Sequence, residues 1–414
     1  MFFPHIRFQF LVMFSLLISL ASIADEVGRK GGVTHTPAKN QESSQICWAY
    51  TVTGLAEGEF MKKNPGKMLR VSPEYLGFYH IYFQLKYHLG YFTKLAEELE
   101  ALPNDEEGSA RQNAILKAYD LLEEANESLN VEDDEFFAPD MGSIGATLLD
   151  EVEKVGMVPA NLFTLKITSE EQENRIEAGL KSFIGMHMLN PDDLKDYIVD
   201  DDDGINSPLF NALAESLYYA LGARPLRPLE KFDFYGRKLN AHQFMNYILK
   251  FDPDKYVAIE SSQDTHELAL EAVVQILASN QAVPLGLTFF KDQLKRNGPT
   301  SSEQVQDSGI FTTNYCPNNH CKETDGGHEM LAVNWLMNNG KLSYIIVKNS
   351  WGEDSGFTVD GEANSNSTGR GFYKVEPNYL KNGIEVDDAW DFILPKKVAN
   401  LSKYRGLHRQ SKAK

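Results

Sequence analysis

Hydrophobic and polar positions divide the chain into a helical front and a strand-rich back. In "WAYTVTGLAEGEFMKK" the apolar residues Ala49, Val52, Ala56 and Phe60 recur at spacings of three and four, which predicts a helix with one buried face. Cys47 falls in its first turn, and Pro65-Gly66 ends the segment. From Ser72 to about Leu129 the pattern stays helical, first aromatic-rich ("SPEYLGFYHIYFQLKYHL") and then amphipathic ("SARQNAILKAYDLLEEANESL"). "IGATLLDEVEKVGMVP" places Leu148, Leu149, Val152 and Val155 on one face, with Gly156 and Pro159 as stop signals. A helical, charge-rich stretch continues to about Ser262, broken by the acidic loop Val199–Gly204. The character then changes. "QAVPLGLTFF", "GIFTT", "HEMLAVNWLM", "LSYIIVKN" and "GFYKV", between Gln281 and Val375, are β-branched and aromatic runs bounded by Gly and Asn, and they read as strands. The turn "MNNGK" (Met337–Lys341) predicts a hairpin between two of them.

The start of the chain reads as an export signal. Arg7 precedes an apolar stretch from Phe8 to Leu20, and Ser22-Ile23-Ala24 forms a small-x-small cleavage site. That stretch is too short to span a bilayer comfortably. The expected mature chain starts near Asp25 and is soluble, secreted or periplasmic, without a membrane partner once the signal is removed. Roughly 390 residues remain, enough for one large domain with insertions or two to three smaller ones.

Charge narrows the partners. With 59 acidic against 40 basic residues, the net charge of −19 argues against nucleic acid or anionic lipid as the main partner. Three cysteines are too few for a disulfide scaffold, and the odd count leaves at least one thiol unpaired in the monomer. Cys316 and Cys321, in the turn-rich "CPNNHC", could close a small disulfide ring or remain free thiols. With His320 and His328 they also suggest a zinc site, but the spacings fit no standard finger, so no metal is expected.

Cys47 is then left over, at the start of a predicted helix. A helix N-terminus and a nearby imidazolium both lower a thiol's pKa, which turns a poor nucleophile into a good one. His328 opens an apolar strand after a Gly-Gly turn, and Asn349 ends the next strand. Pairing of the two strands as a hairpin brings His328 and Asn349 side by side. That is the geometry in which an amide oxygen fixes the tautomer and plane of a catalytic imidazole. Trp351 follows closely enough to shield that hydrogen bond. Attack on an amide makes an oxyanion, for which the Cys47 backbone N–H and the Gln41 side chain can supply the two donors.

"NQESSQICWAY", "HEMLAVNW" and "KNSWG" resemble, in order, the three signature blocks of papain-like cysteine peptidases, with Gln41, Cys47, His328 and Asn349 all in register. Within that family the chain resembles the bleomycin hydrolase and bacterial aminopeptidase C branch. Ser44 stands where secreted papain-like enzymes usually carry a disulfide cysteine, and both "MGSIGATLLDEVEKVGMVP" and "NSWGEDSG" are close to that branch's wording. The 281 residues from Cys47 to His328 exceed the roughly 130–150 of compact relatives. This branch also carries large helical inserts.

The resemblance implies an α+β fold of two lobes with an active-site cleft between them. A helical lobe over 25–265 would carry insertions at about 63–136 and 165–262. An antiparallel β-barrel-like lobe over 266–395 would hold His328 and Asn349, followed by a basic tail at 396–414 that reads as disordered. It implies no cofactor, a peptide or protein substrate and the possibility of a homo-oligomer. Substrate contacts would come from Gly142, Ser143, Trp48 and Gly327. Two departures stand out: Ser143 replaces the second glycine of the branch's substrate-pairing block, and the C-terminus is strongly basic. Only about sixteen residues separate the cleavage point from Gln41, too few for a folded inhibitory propeptide, so the inserts or the tail are expected to restrict the cleft. An acyl or peptidyl transferase using the same thioester, and a catalytically silent peptide-binding module, are the rival classes.

Overall fold

The computed structural model describes residues 32–41, 46–80, 82–83, 145–165, 215, 218, 226–290, 294–297, 306–313, 327–353, 356–358, 371–387 and 390–409. The signal segment, most of both expected insertions, the Gly142-Ser143 block and the Cys316–Cys321 pair lie outside the described residues.

Helix α1 (Cys47–Lys63) begins at the cysteine itself. It is buried on every side from Cys47 to Gly58 rather than along one face. The sheet packs on one flank, and the N-terminal strap of residues 32–41 and the aromatic helical residues 73–80 close the others. The strap approaches so closely that a Cβ on Gly58 would stand 2.8 Å from Thr34 O, which only glycine permits. Helix α2 (Gly145–Val155) ends at Gly156, whose φ of +73° is the left-handed stop its sequence predicts. Tyr75, Phe78, Tyr79, Phe163 and Tyr218 join edge-to-face and by stacking in the core beneath it.

A small hairpin, β1 (Phe232–Phe234) and β2 (Arg237–Leu239), precedes the main sheet. That sheet comprises β3 (Tyr256–Ser261), β4 (Val283–Thr288), β5 (Leu294–Asn297), β6 (Gln306–Phe311), β7 (Gly327–Asn338), β8 (Lys341–Lys348), β9 (Phe372–Val375), β10 (Trp390–Pro395) and β11 (His408–Arg409). Helices α3 (His266–Ala278) and α4 (Pro377–Asp387) and the short α5 (Lys396–Ala399) lie between its strands in the chain. The strand order is β11-β3-β10-β4-β7-β8-β9-β6-β5, antiparallel throughout except for β6 with β9. Asn339 and Gly340, both at positive φ, make the predicted β7–β8 turn.

Three expectations need correction. Among the described residues the sheet is open, with β11 and β5 at its edges, rather than barrel-like. The second insertion does not run helical to 262: β3 belongs to the main sheet, its Tyr256, Ala258, Ile259 and Ser261 buried, and helix α3 follows within the β-rich half. The basic tail is ordered as far as it is described. Tyr404 and Leu407 bury their side chains, Tyr404 Oη donates to Gln275 Oε1 at 2.5 Å, and β11 pairs with β3. These apolar anchors outweigh the surrounding charge.

Candidate active site

The hairpin β7–β8 brings together what the sequence spaces 21 residues apart. His328 Nε2 donates to Asn349 Oδ1 at 2.8 Å, and the same oxygen accepts the Ser350 N–H at 2.7 Å. This leaves Nδ1 as the ring nitrogen available for chemistry. The Trp351 ring stacks on the imidazole, centroids 4.9 Å apart and planes 21° apart, and Phe289 meets it edge-on at 6.0 Å. Aromatic rings thus cover the hydrogen bond, and Asn349 is buried.

Helix α1 delivers the thiol to the same strand: Glu329 N–H donates to Cys47 Sγ at 3.4 Å. Burial pushes the Cys47 thiol up, while the amides of Glu329, Trp48 and Cys47 itself pull it down. Burial also lowers His328 to about 4, against the opposing pull of the Asn349 hydrogen bond. Each shift disfavours charge on one group alone. A proton passed from sulfur to ring creates two opposite charges together, and each then offsets the other's burial.

The strap places Gln41 beside this pair. Gln41 N–H donates to Ser350 O at 2.7 Å, Gly352 N–H to Lys39 O at 3.0 Å, and Asn40 bridges Trp351. The Ser350 hydroxyl donates to Gln41 Oε1, which orients the amide group. Ser350 is a positioning residue that the sequence did not single out, although it lies inside the "KNSWG" block. Glu329 was missed as well; a lone carboxylate in an apolar strand was its signal.

Two expected substrate contacts fare differently. Trp48 is 1% exposed and packs edge-on against His80 at 4.9 Å, so its side chain is core and offers a substrate no surface. Gly327 is exposed at the start of β7, with open space where a Cβ would be. Gly142, Ser143, Cys316 and Cys321 lie outside the described residues.

The family model for papain family cysteine protease matches residues 246–361, a span that holds His328, Asn349 and Trp351 but not Cys47 or Gln41. Over that span the chain carries a papain-family cysteine peptidase domain. No curated protein matches it. Among solved structures it is similar to PepW from Lactobacillus rhamnosis HN001 (DR20), with 16% identity and a TM-score of 0.58. The likeness covers 94% of this papain-like chain and 86% of that one, and at this identity it is a likeness of fold.

Proposed function

We propose that this papain-like chain is an exported cysteine peptidase that cuts peptide bonds through a thioester on Cys47. The observation that carries the reading is the convergence of Cys47 Sγ and the His328–Asn349 hydrogen bond on one strand end. The Cys47 proton passes to His328 Nδ1, and the thiolate attacks the peptide carbonyl carbon. The tetrahedral oxyanion is held by the Cys47 N–H and the Gln41 side-chain amide. The C–N bond then breaks, with the imidazolium proton going to the leaving amine. Water attacks the thioester, giving up a proton through His328 to sulfur, which releases the carboxylic acid and restores the thiol. Asn349 keeps the ring in the required tautomer and Trp351 screens that contact.

Aminopeptidase-like action, by analogy with the bleomycin hydrolase and aminopeptidase C branch, is part of the proposal. Its support is the length between Cys47 and His328 and the fold shared with PepW. Replacing Cys47 with Ala is expected to abolish cleavage of a peptide library, read by mass spectrometry, while circular dichroism shows an intact fold. Retained cleavage refutes the assignment. The same digest reports whether products lose residues one at a time from the N-terminus. Export is tested by whether the secreted chain begins near Asp25.

A further inference from the structure

Strand β4 pairs with β7 as far as Thr288, with Leu287 opposite His328 and Thr288 opposite Gly327. Phe289 and Phe290 follow, and their rings part. Phe290 is fully buried and meets the Tyr379 ring edge-on, centroids 5.8 Å apart. Phe289 is only partly buried and meets Trp351 edge-on at 5.7 Å, beside its contact with the His328 imidazole. One hydroxyl spans the parting. Tyr379 Oη accepts the Phe290 N–H at 2.9 Å and donates to Thr288 O at 3.2 Å, so it grips the backbone on both sides of Phe289. Tyr379 stands in the first turn of α4 and is buried. The helix lies so close to this stretch that a Cβ on Gly383 would stand 3.0 Å from Thr288 Oγ1. The Tyr379 ring also leans on Phe311, centroids 5.3 Å apart, and Phe311 in turn meets Phe289 edge-on at 6.1 Å. Tyr379 therefore reaches Phe289 twice, through its backbone and through its ring.

A partly exposed residue just past the end of a ladder keeps backbone and rotamer freedom unless something else fixes it. Buried backbone groups at such an end also need partners that the ladder no longer supplies. The Tyr379 hydroxyl answers both needs. We propose that Tyr379 is a positioning residue for the Cys47–His328 pair, its hydroxyl fixing the strand end that sets the Phe289 ring against the imidazole. The His328 ring then touches two aromatic rings, Trp351 and Phe289, that also touch each other. That corner restricts where the imidazole can sit as Nδ1 takes the thiol proton. Such placement has a large effect on rate, since a misplacement of about 1 Å costs up to about 10²-fold.

The inference rests on the peptidase reading, so two rates are measured. Alkylation of Cys47 by iodoacetamide reports the thiol–imidazole pair whether or not a peptide is cut. Cleavage of a peptide by the native protein tests the peptidase reading alone. Tyr379→Phe removes the hydroxyl and keeps the ring. It is expected to slow alkylation and to lower kcat by roughly tenfold each, with KM within about twofold of native. Phe289→Leu, which keeps the hydroxyl's grip but loses the ring it places, is expected to show a similar loss. Adding Tyr379→Phe to Phe289→Leu then changes either rate by less than about twofold, because nothing is left for the hydroxyl to place. A general loosening of the fold would instead add its loss in both backgrounds. Native rates in folded Tyr379→Phe, or losses that multiply in the double variant, overturn the inference. Native rates in Phe289→Leu overturn it independently, even where Tyr379→Phe does not fold.

Discussion

Gln41 is held at both ends, its backbone by Ser350 O and its side-chain oxygen by the Ser350 hydroxyl. A preset amide is what an oxyanion site requires, because no reorganisation is left for the moment of reaction. Gln41→Ala is therefore expected to lower kcat by about 10²- to 10³-fold, with little change in KM. Ser350→Ala, which frees the amide without removing it, falls between that variant and the native protein in steady-state assays. A Gln41→Ala enzyme with native kcat would exclude the amide from the chemistry. His328 links the same site to stability. Its folded pKa near 4 lies below its unfolded value of 6.5, so the unfolded chain binds the proton first as pH falls. The stability it confers is complete above about 6.5, is lost toward 4 and amounts to about 3 kcal/mol. Urea melts at pH 7 and pH 4.5 read that loss, and His328→Gln is expected to flatten it. The residues of the site were legible because their chemistry demands particular neighbours: Cys47 before Trp48, His328 after Gly-Gly, Asn349 before Ser-Trp-Gly. Ser350 and Glu329 were not, since their roles arise only when the strap and α1 meet the β7–β8 hairpin.

At the scale of elements, β7 and β8 are legible from long apolar runs joined by Asn-Gly, and α2 from its periodic leucines and valines and its glycine stop. β3 and β10 are harder to read. "YVAIES" and "WDFILP" are six residues each, carry Glu260 and Asp391, and find their partners 129 or more residues away through pairing with one another. The tail hides for a related reason: its two anchors, Tyr404 and Leu407, are scattered among Lys and Arg. Its contacts are specific, with Lys403 at 2.8 Å from Glu271 and Arg409 donating to Asn400 Oδ1 at 2.8 Å. β11 lies four strands from β7 in the sheet, roughly 19 Å at the usual spacing. Removing the chain after Ala399 is therefore expected to cost on the order of 3 kcal/mol in denaturant unfolding, from the two exposed anchors and the lost pairing. The ratio of kcat/KM on long and short peptides should stay the same. A changed ratio at unchanged stability would reverse this and give the tail the gating role its charge suggested.

At the scale of the whole molecule, one largely buried ionic cluster ties the strap, α1 and β8 together. Glu57 of α1, fully buried, accepts from Lys39 Nζ at 2.7 Å, from Val71 N–H at 2.7 Å and from the Thr36 hydroxyl. Lys348 Nζ donates to Thr36 O and Oγ1, each at 3.2 Å. Burial pushes the Glu57 carboxyl up, but Lys39 and Lys348 together bring it below its usual range. Burial lowers Lys348 to about 8, with Glu57 pulling the other way. Lys348 is the residue before Asn349, and Glu57 stands on the helix that begins with Cys47, so this cluster links the helix that carries the thiol to the strand that leads into Asn349. Glu57→Gln leaves the buried Lys348 and the part-buried Lys39 ammonium groups without their counter-charge, and breaking a buried pair from one side costs about 3–5 kcal/mol. Urea unfolding should register that loss, and kcat should fall with it because β8 is no longer pinned to α1. Adding Lys348→Met to Glu57→Gln removes one stranded charge, so the double variant should be more stable than Glu57→Gln alone. Strict additivity of the two substitutions would mean that the charges do not communicate across the strap, and the two halves of the site would then owe their spacing to apolar packing of α1 on β7 instead.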